Sequence, residues 1–347
     1  MSALHVDLGT LEANITAVRD AVGASELMLV VKDDAYGHGL EAVARRAHDV
    51  GVRWFGAYDI ETGCRLRGAL GSGIRIFVWM AASPPALERA VAHDLDIGVG
   101  DAVTLEAVAD AGAGTGRAVR VHLKIDTGLH RNGIRPEDWV SFVRRAREHE
   151  LAGAIDVVGV WSHIAEASDA EDDLARDVFD TAIREAEDGG LEPRLRHLSA
   201  SAASLARPEF RYDLVRVGAF CYGIRPAGGP AETELGIRPI GSLRAPVASV
   251  DGDRVTTALG CLEGLPSALA GRVTVGTPAG PRRLVDVGAD SSLESWPDAA
   301  VGDTVTFWGP GLHGERSATD LAEAIGTIGE ELVVRLSPLI PRTYAGE

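Results

Sequence analysis

The chain has 347 residues, 46% of them hydrophobic and 24% charged, with a formal net charge of -17. That length admits two or three domains, or one large α/β domain with a smaller one. The composition suits a soluble globular protein with a sizeable core. So acidic a chain offers nucleic acid no basic footprint. No charged segment followed by an apolar stretch opens the sequence, and no apolar run approaches a membrane span. Cys64, Cys221 and Cys261 are odd in number and far apart, forming neither a metal pair nor a redox pair, which suits a cytoplasmic protein.

From residue 27, short apolar runs alternate with helical patterns. Strands are expected at 27–31, 53–57, 75–80, 96–99, 119–125, 156–161, 196–198 and 214–217. Helices are expected at 39–50, 84–92, 102–111, 136–148 and 169–187, several opened by Pro or Asp. Eight strands alternating with helices predict a (β/α)8 barrel of class α/β. The runs are rich in Val, Ile and Leu, as strands buried on both faces should be. A doubly wound sheet is the alternative, but no Gly-x-Gly-x-x-Gly follows the first strand. Residues 225–241, dense in Pro and Gly, read as a linker. Beyond it, strands at 245–249, 254–258, 272–275, 283–287 and 303–308 and one helix at 318–324 predict a smaller C-terminal β domain. The expected division is residues 1–226 for the barrel and 227–347 for the β-rich domain.

Chemistry in such a barrel gathers at the C-terminal ends of the strands. Those ends carry Lys32 after strand one, Lys124, Asp126 and Arg131 after strand five, and His163 after strand six. Strand seven adds His197 and Ser201, and strand eight Arg216 and Gly218. Singly each is more readily structural: a strand lysine reaches into solvent and a histidine packs in a core. Together they read differently. A lysine at the barrel mouth can form a Schiff base with a carbonyl cofactor, and Ser201 with the amides near Gly218 lies where such barrels cradle phosphate. The combination points to pyridoxal 5'-phosphate across the barrel mouth.

Lys32-Asp-Asp-Ala-Tyr-Gly-His-Gly39 closely resembles the cofactor-lysine motif of the alanine racemase family, whose members are fold-type III pyridoxal phosphate enzymes. Leu123-Lys-Ile-Asp-Thr-Gly-Leu-His-Arg131, Trp161-Ser-His163, His197-Leu-Ser-Ala-Ser201, Val215-Arg-Val-Gly218 and Tyr222-Gly223 resemble its later motifs in the same order. Gly326-Thr-Ile328, Leu336-Ser-Pro338 and Pro341-Arg-Thr-Tyr344 resemble its closing segment. The resemblance implies that Lys32 carries the internal aldimine and acts as base at Cα of a small amino acid. It implies that Tyr36, Ser201 and the amides of Gly218 and Ala219 hold the phosphate. His163 would lie against the ring, Arg131 would reach the phenolic oxygen, and Arg216 would donate to the pyridine nitrogen. An arginine has too high a pKa to protonate that nitrogen, which disfavours a long-lived quinonoid. Lys124 matches a position the family often carbamylates, where an anion would pin Arg131. The relatives work as homodimers, so the resemblance implies a homodimer, to which the composition adds the expectation of a cytoplasmic protein without metal, membrane or nucleic acid.

The second half departs from the family pattern. Racemisation in the family pairs the lysine with a tyrosine on the opposite face of Cα, supplied by the partner's β domain, and no tyrosine occurs here between Pro226 and Leu339. The usual Gly-Tyr-Ala-Asp-Gly reads Gly260-Cys-Leu-Glu-Gly264, the Met-Asp pair falls near Ala289-Asp290, and Ala200 replaces an asparagine. Glu330 stands where a phosphate-binding tyrosine is usual, and a carboxylate there would repel phosphate unless it turns away. Three readings follow. The chain is a racemase with a substitute second base such as Cys261, Glu263 or His313. Alternatively it is a one-base enzyme, such as a decarboxylase or a Cα-deprotonating enzyme of specialised metabolism. The third reading is a non-catalytic pyridoxal phosphate-binding protein. Racemase leads, because Arg216 sets the electronics of one.

Overall fold

The structure is a computed structural model that describes residues 1–80, 83–166, 168–198 and 200–346. The chain forms two compact units. One comprises Met1–Val18, Asp33–Val50 and Ala219–Glu347, the other Arg19–Lys32 and Gly51–Gly218.

Strands are numbered along the chain, and β1 (Ala3–Asp7) belongs to the first unit. The second unit holds β2 (Glu26–Val30), β3 (Trp54–Asp59), β4 (Arg75–Met80), β5 (Asp96–Val99), β6 (Val119–Lys124), β7 (Ile155–Trp161), β8 (Leu195–His197) and β9 (Leu214–Val217). From β2 to β8 each pairs in parallel with its neighbour in sequence, and β9 returns to pair with β2, Val215 opposite Leu27, while β8 and β9 form no ladder. Between β8 and β9 the Asp213 amide donates to the Arg196 carbonyl at 3.2 Å. The Asp213 carboxylate also accepts from the Arg196 amide and guanidinium. The result is the expected (β/α)8 barrel, nearly closed. Met28, Trp54, Phe77, Trp161 and Leu214 form a buried cluster in it.

Helices Ile60–Leu70, Pro84–Ala92, Ala102–Thr115, Pro136–Leu151 and Asp169–Asp188 alternate with these strands. Several start where the sequence offers an oxygen acceptor. Asp59 accepts from the Thr62 amide, Asp101 from Thr104 and Ser168 from Glu171, satisfying donors that the first turn leaves unpaired. Helix Ile60–Leu70 packs Gly63 so closely on Leu95 and Val78 that a Cβ would collide with both.

The first unit is built on a second eight-stranded sheet. Its later strands are β10 (Gly241–Asp251), β11 (Arg254–Thr257), β12 (Thr274–Thr277), β13 (Gly280–Val287), β14 (Ser291–Glu294), β15 (Thr304–Trp308) and β16 (Arg342–Ala345). The long strand β10 pairs with β1, β11 and β15, which curls the sheet into the expected β domain. Two features correct the sequence reading. Instead of one helix there are two, Ala318–Glu323 and Gly329–Val334. The N-terminal strand β1, which no pattern announced, runs antiparallel to β10 and parallel to β16, Leu4 opposite Arg342. Hairpin β10–β11 closes tightly: Asp251 faces Arg254, leaving Gly252 and Asp253 as its turn. Start of the expected linker, Arg225 is pinned by Glu323 at 2.6 Å and Asp320 at 2.7 Å.

Candidate active site

In the barrel unit, β2 ends at Val30 and the next amide, of Val31, still donates to the Gly56 carbonyl at 2.9 Å. That bond places half-buried Lys32 at the C-terminal end of the first barrel strand, as expected. The other expected positions follow the same logic. Lys124 closes β6, Arg131 stands exposed in the loop after it, and His163 follows β7 by two residues. Ser201 opens the helix Ser201–Ala206 after β8, and Arg216 lies within β9. The Gly218 amide, one residue beyond β9, donates to the Ser201 hydroxyl at 3.3 Å. Ser199, inside one expected motif, lies outside the described residues.

These side chains share one electrostatic environment. Burial and then the charges of Arg216, Arg131, Lys124 and Lys32 push His163 down to about 3, so its ring is neutral among four cations. Lys124 is lowered to about 8, by burial first and then by Arg216 and Arg131, and its ammonium sits 4.5 Å from the centre of the Trp161 ring. Arg216 is buried. Burial brings it down to about 9 against the pull of Glu166, which leaves it cationic at neutral pH. Its Nη2 donates to the carbonyls of Ser162 at 2.8 Å and Leu198 at 3.0 Å, and His163 Nδ1 lies 3.2 Å away. Asp126 is engaged elsewhere, accepting from the His130 ring at 2.8 Å and from the amides of Gly128 and His130. A mouth so rich in cations is suited to an anionic ligand.

In the other unit, the residues after Lys32 depart from ordinary backbone. Asp33, Asp34, Ala35 and Tyr36 all have φ between 53° and 56°, a full left-handed turn of non-glycine residues. Such residues cost roughly 1–2 kcal/mol each, so the turn needs support. The Gly37 amide donates to the Asp33 carbonyl at 2.8 Å, Gly39 to Asp34 at 3.0 Å, and the Leu40 amide to the Asp34 carboxylate at 3.0 Å. Tyr36 packs on Tyr222 with ring centres 4.8 Å apart, and His38 stacks on the same ring. Burial, then Glu330, Asp33 and Cys221, raise the Tyr36 hydroxyl far above its ordinary pKa, so it remains a donor. Ala219 is buried at the start of the short helix Ala219–Tyr222.

Cys261 and Glu263 share one helical turn, Cys261–Glu263. Cys261 is exposed, whereas the Glu263 carboxylate accepts from the Gly260 amide at 2.8 Å and so caps its own turn. His313 is exposed on a loop whose amides bind the buried Glu315 carboxylate.

The structure adds polar residues that the sequence reading passed over. His122 is fully buried in β6 and Asp96 fully buried at the start of β5. A signal was present: Arg120, His122 and Lys124 alternate along β6, so one face of a barrel strand is polar throughout. Among the described residues, no cluster of His, Cys, Asp or Glu could hold a metal ion, and no helix is long and apolar enough to cross a membrane.

The family model described as the alanine racemase N-terminal domain matches residues 6–226, and that of the C-terminal domain matches residues 255–344. The chain belongs to the alanine racemase family. Alanine racemase of Beutenbergia cavernae is 38% identical over 378 aligned positions, covering 98% of this chain and 97% of that protein. That of Salinispora tropica is 37% identical over 374 positions, covering 99% and 98%. Both alignments are longer than the 347 residues here, so those relatives carry residues this chain lacks. The solved alanine racemases of Streptomyces lavendulae and Streptomyces coelicolor superpose with TM-scores of 0.94 and 0.96, at 33% and 32% identity. Each covers the whole chain, which in turn spans 97% and 98% of them. Alanine racemases are pyridoxal 5'-phosphate enzymes. The donor set here fits that cofactor: a lysine amine, three further cations and the Ser201–Gly218 pair match an aldehyde bearing a phosphate and a phenolate.

Proposed function

We propose that this protein is a pyridoxal phosphate-dependent amino-acid racemase acting on a small amino acid, working in the cytoplasm as a homodimer. The observation that carries the reading is the neutral His163 set among Lys32, Lys124, Arg131 and Arg216 at the mouth of the barrel. When bound, the cofactor withdraws electrons from substrate Cα so that its proton can leave. Lys32 would hold the cofactor covalently and carry that proton on one face. Tyr36, Ser201, Gly218 and Ala219 would donate to the phosphate, and Arg131 to the phenolic oxygen. Arg216, a donor only, would bind the ring nitrogen without protonating it, which restrains side reactions. Lys124, whose amine is partly neutral near pH 8, would be open to carbamylation. Residues 1–226 would form the cofactor-binding part and 227–347 the β domain.

The second face of Cα is the open element. Residues 227–254 lie outside both family matches, and the Gly252-Asp253 turn there carries no tyrosine. This supports a divergent member without the second tyrosine, and with it a second reading as a one-base enzyme. Cys261 and His313 are exposed and would be substitutes for that tyrosine, whereas the cap made by Glu263 argues against Glu263. The test is incubation with single enantiomers of small amino acids in deuterated water. Deuterium at Cα with inversion supports the racemase; retained configuration supports the one-base enzyme, as does release of carbon dioxide. Absence of exchange with every amino acid leaves a binding protein. Borohydride should fix the cofactor on Lys32, and protein that takes up none refutes the reading.

A further inference from the structure

A chain of hydrogen bonds climbs the inside of the barrel from its N-terminal end to Arg216. Asp96 Oδ2, on the first residue of β5, lies 3.3 Å from His122 Nε2 in β6. His122 Nδ1 lies 2.9 Å from His197 Nε2 at the end of β8, and His197 Nδ1 lies 3.1 Å from Arg216 Nη1 in β9. Asp96, His122 and His197 are fully buried and Arg216 nearly so. Phe77 and Trp161 wall the histidines, with Phe77 edge-on to His197 and Trp161 stacked on it. Three polar side chains in a layer that such barrels usually fill with aliphatic groups are costly to bury unless every bond is made.

Both ends of the chain dictate the same proton arrangement. A guanidinium has donors only, so His197 Nδ1 must accept and its proton sits on Nε2. An ionised carboxylate accepts only, so the His122 proton also sits on Nε2. The middle bond then closes without conflict: His197 Nε2–H donates to His122 Nδ1. Burial alone would raise the Asp96 carboxyl, but hydrogen bonds from His122 and Arg75 and the charge of Arg75 hold it below the usual carboxylate range, so it stays ionised. Burial keeps both histidines neutral. Outside the relay, Asp96 is anchored by Arg75 and by Arg120 Nε at 2.7 Å.

We infer that Asp96, His122 and His197 are positioning residues that act as one directional relay, fixing the guanidinium of Arg216 for its role at the cofactor ring nitrogen. The relay supplies the acceptor that satisfies Nη1 and a remote countercharge across two neutral rings. Nη2 is taken up by the Ser162 and Leu198 carbonyls, so the whole group is held from one side. The functional half of this inference rests on the proposed pyridoxal phosphate chemistry; the proton arrangement does not.

The first measurement is histidine nitrogen NMR on the wild-type protein stripped of cofactor. His122 and His197 should both carry their proton on Nε2 and resist protonation more than an ordinary histidine does. An Nδ1-protonated tautomer or an imidazolium at either position overturns the relay. The second measurement is absorbance titration with pyridoxal phosphate. Asp96→Asn and His122→Phe should each weaken binding about tenfold, the scale of losing a partner that orients a ligand-holding side chain, and shift the absorption maximum of the bound cofactor. Arg120→Gln, which breaks an ion pair of Asp96 but no relay bond, should do neither. Combining Asp96→Asn with Arg216→Lys should add little to Arg216→Lys alone, the mark of coupled sites. Wild-type affinity and absorption in Asp96→Asn, or full additivity, overturn the positioning role. Wild-type protein that takes up no pyridoxal phosphate overturns the functional reading, while the tautomer measurement still decides the relay.

Discussion

Arg342 donates from Nε to the carbonyl of Gly37 at 2.9 Å, so the last strand of the chain holds the strained turn that follows Lys32 in sequence. The same guanidinium donates from Nη1 to the carbonyls of Ser337 at 2.9 Å and Ile340 at 2.6 Å. One side chain thus closes three backbone acceptors beside a left-handed segment that does not form by local preference. Arg342→Ala should destabilise the protein by about 2–3 kcal/mol, the value of charge-assisted hydrogen bonds lost with their acceptors left unpaired. Urea unfolding measures it, and a loss below about 0.5 kcal/mol, within the range of ordinary surface substitutions, would show that the turn stands without Arg342.

Gly39 is the second support of that turn. It has φ of 96°, and a Cβ there would overlap the Tyr344 hydroxyl. Gly39→Ala combines backbone strain with that overlap and should cost more than about 2 kcal/mol. Adding Tyr344→Ala should recover part of the loss by removing the overlap but not the strain. Full recovery in the double variant would locate the whole effect in the overlap.

Stability should fall as the pH drops through 6.5. Burial lowers His38 to about 4, lowers His122 and His197, and together with nearby cations lowers His163 to about 3. The unfolded chain takes up those protons near pH 6.5 and the folded one does not, so the stabilisation is complete above pH 6.5 and lost below it. Each histidine contributes up to about 1.4 kcal/mol per pH unit in that window. Urea midpoints at pH 7, 6 and 5 test this, and a flat profile refutes it.

Lys124 acts in the same direction at higher pH. Its amine is lowered to about 8, so holding it charged in the fold is unfavourable below pH 8, and the penalty fades as the pH rises toward the ordinary lysine value. Lys124→Met should therefore stabilise the cofactor-free protein by about 2 kcal/mol at pH 7 in carbonate-free buffer. The gain should shrink through pH 8–10. A Met variant less stable than wild type at pH 7 would mean that the contact of the ammonium with Trp161 outweighs its desolvation.

Glu330 lies on the helix Gly329–Val334, and its charge acts on the Tyr36 hydroxyl that we assign to the cofactor phosphate. A carboxylate there opposes a bound phosphate. Glu330→Tyr should tighten pyridoxal phosphate binding about tenfold, equivalent to about 1.4 kcal/mol, with Glu330→Gln in between. Absorbance titration reads both. Unchanged affinity would mean that the carboxylate faces away from the phosphate.

The barrel was legible because its strands are short runs of Val, Ile and Leu set apart by amphipathic helices, and both signals are local. The candidate site residues were legible as a group because a barrel sends chemistry to strand ends, where Lys32, Lys124, His163 and Arg216 stand out against apolar neighbours. Less local features escaped. Strand β1 and strand β16 carry little pattern of their own; β1 exists because it finds β10 and β16, and β16 because it finds β1. The left-handed course of Asp33–Tyr36 contradicts what those residues prefer alone and depends on Tyr222, Arg342 and the carbonyls around them.

Asp96 and His122 mark the same boundary more sharply. In sequence one is an acid opening a strand and the other a histidine among valines, 26 residues apart. The sequence by itself determined the barrel, the candidate cofactor lysine and the array of cations, since these follow from periodicity and from which residue types sit where strands end. The tertiary structure alone decided which polar groups meet inside the barrel and which backbone could be held in strain. Those depend on contacts between distant segments, and a hydrogen bond leaves no trace in the order of residues until the fold brings its two ends together.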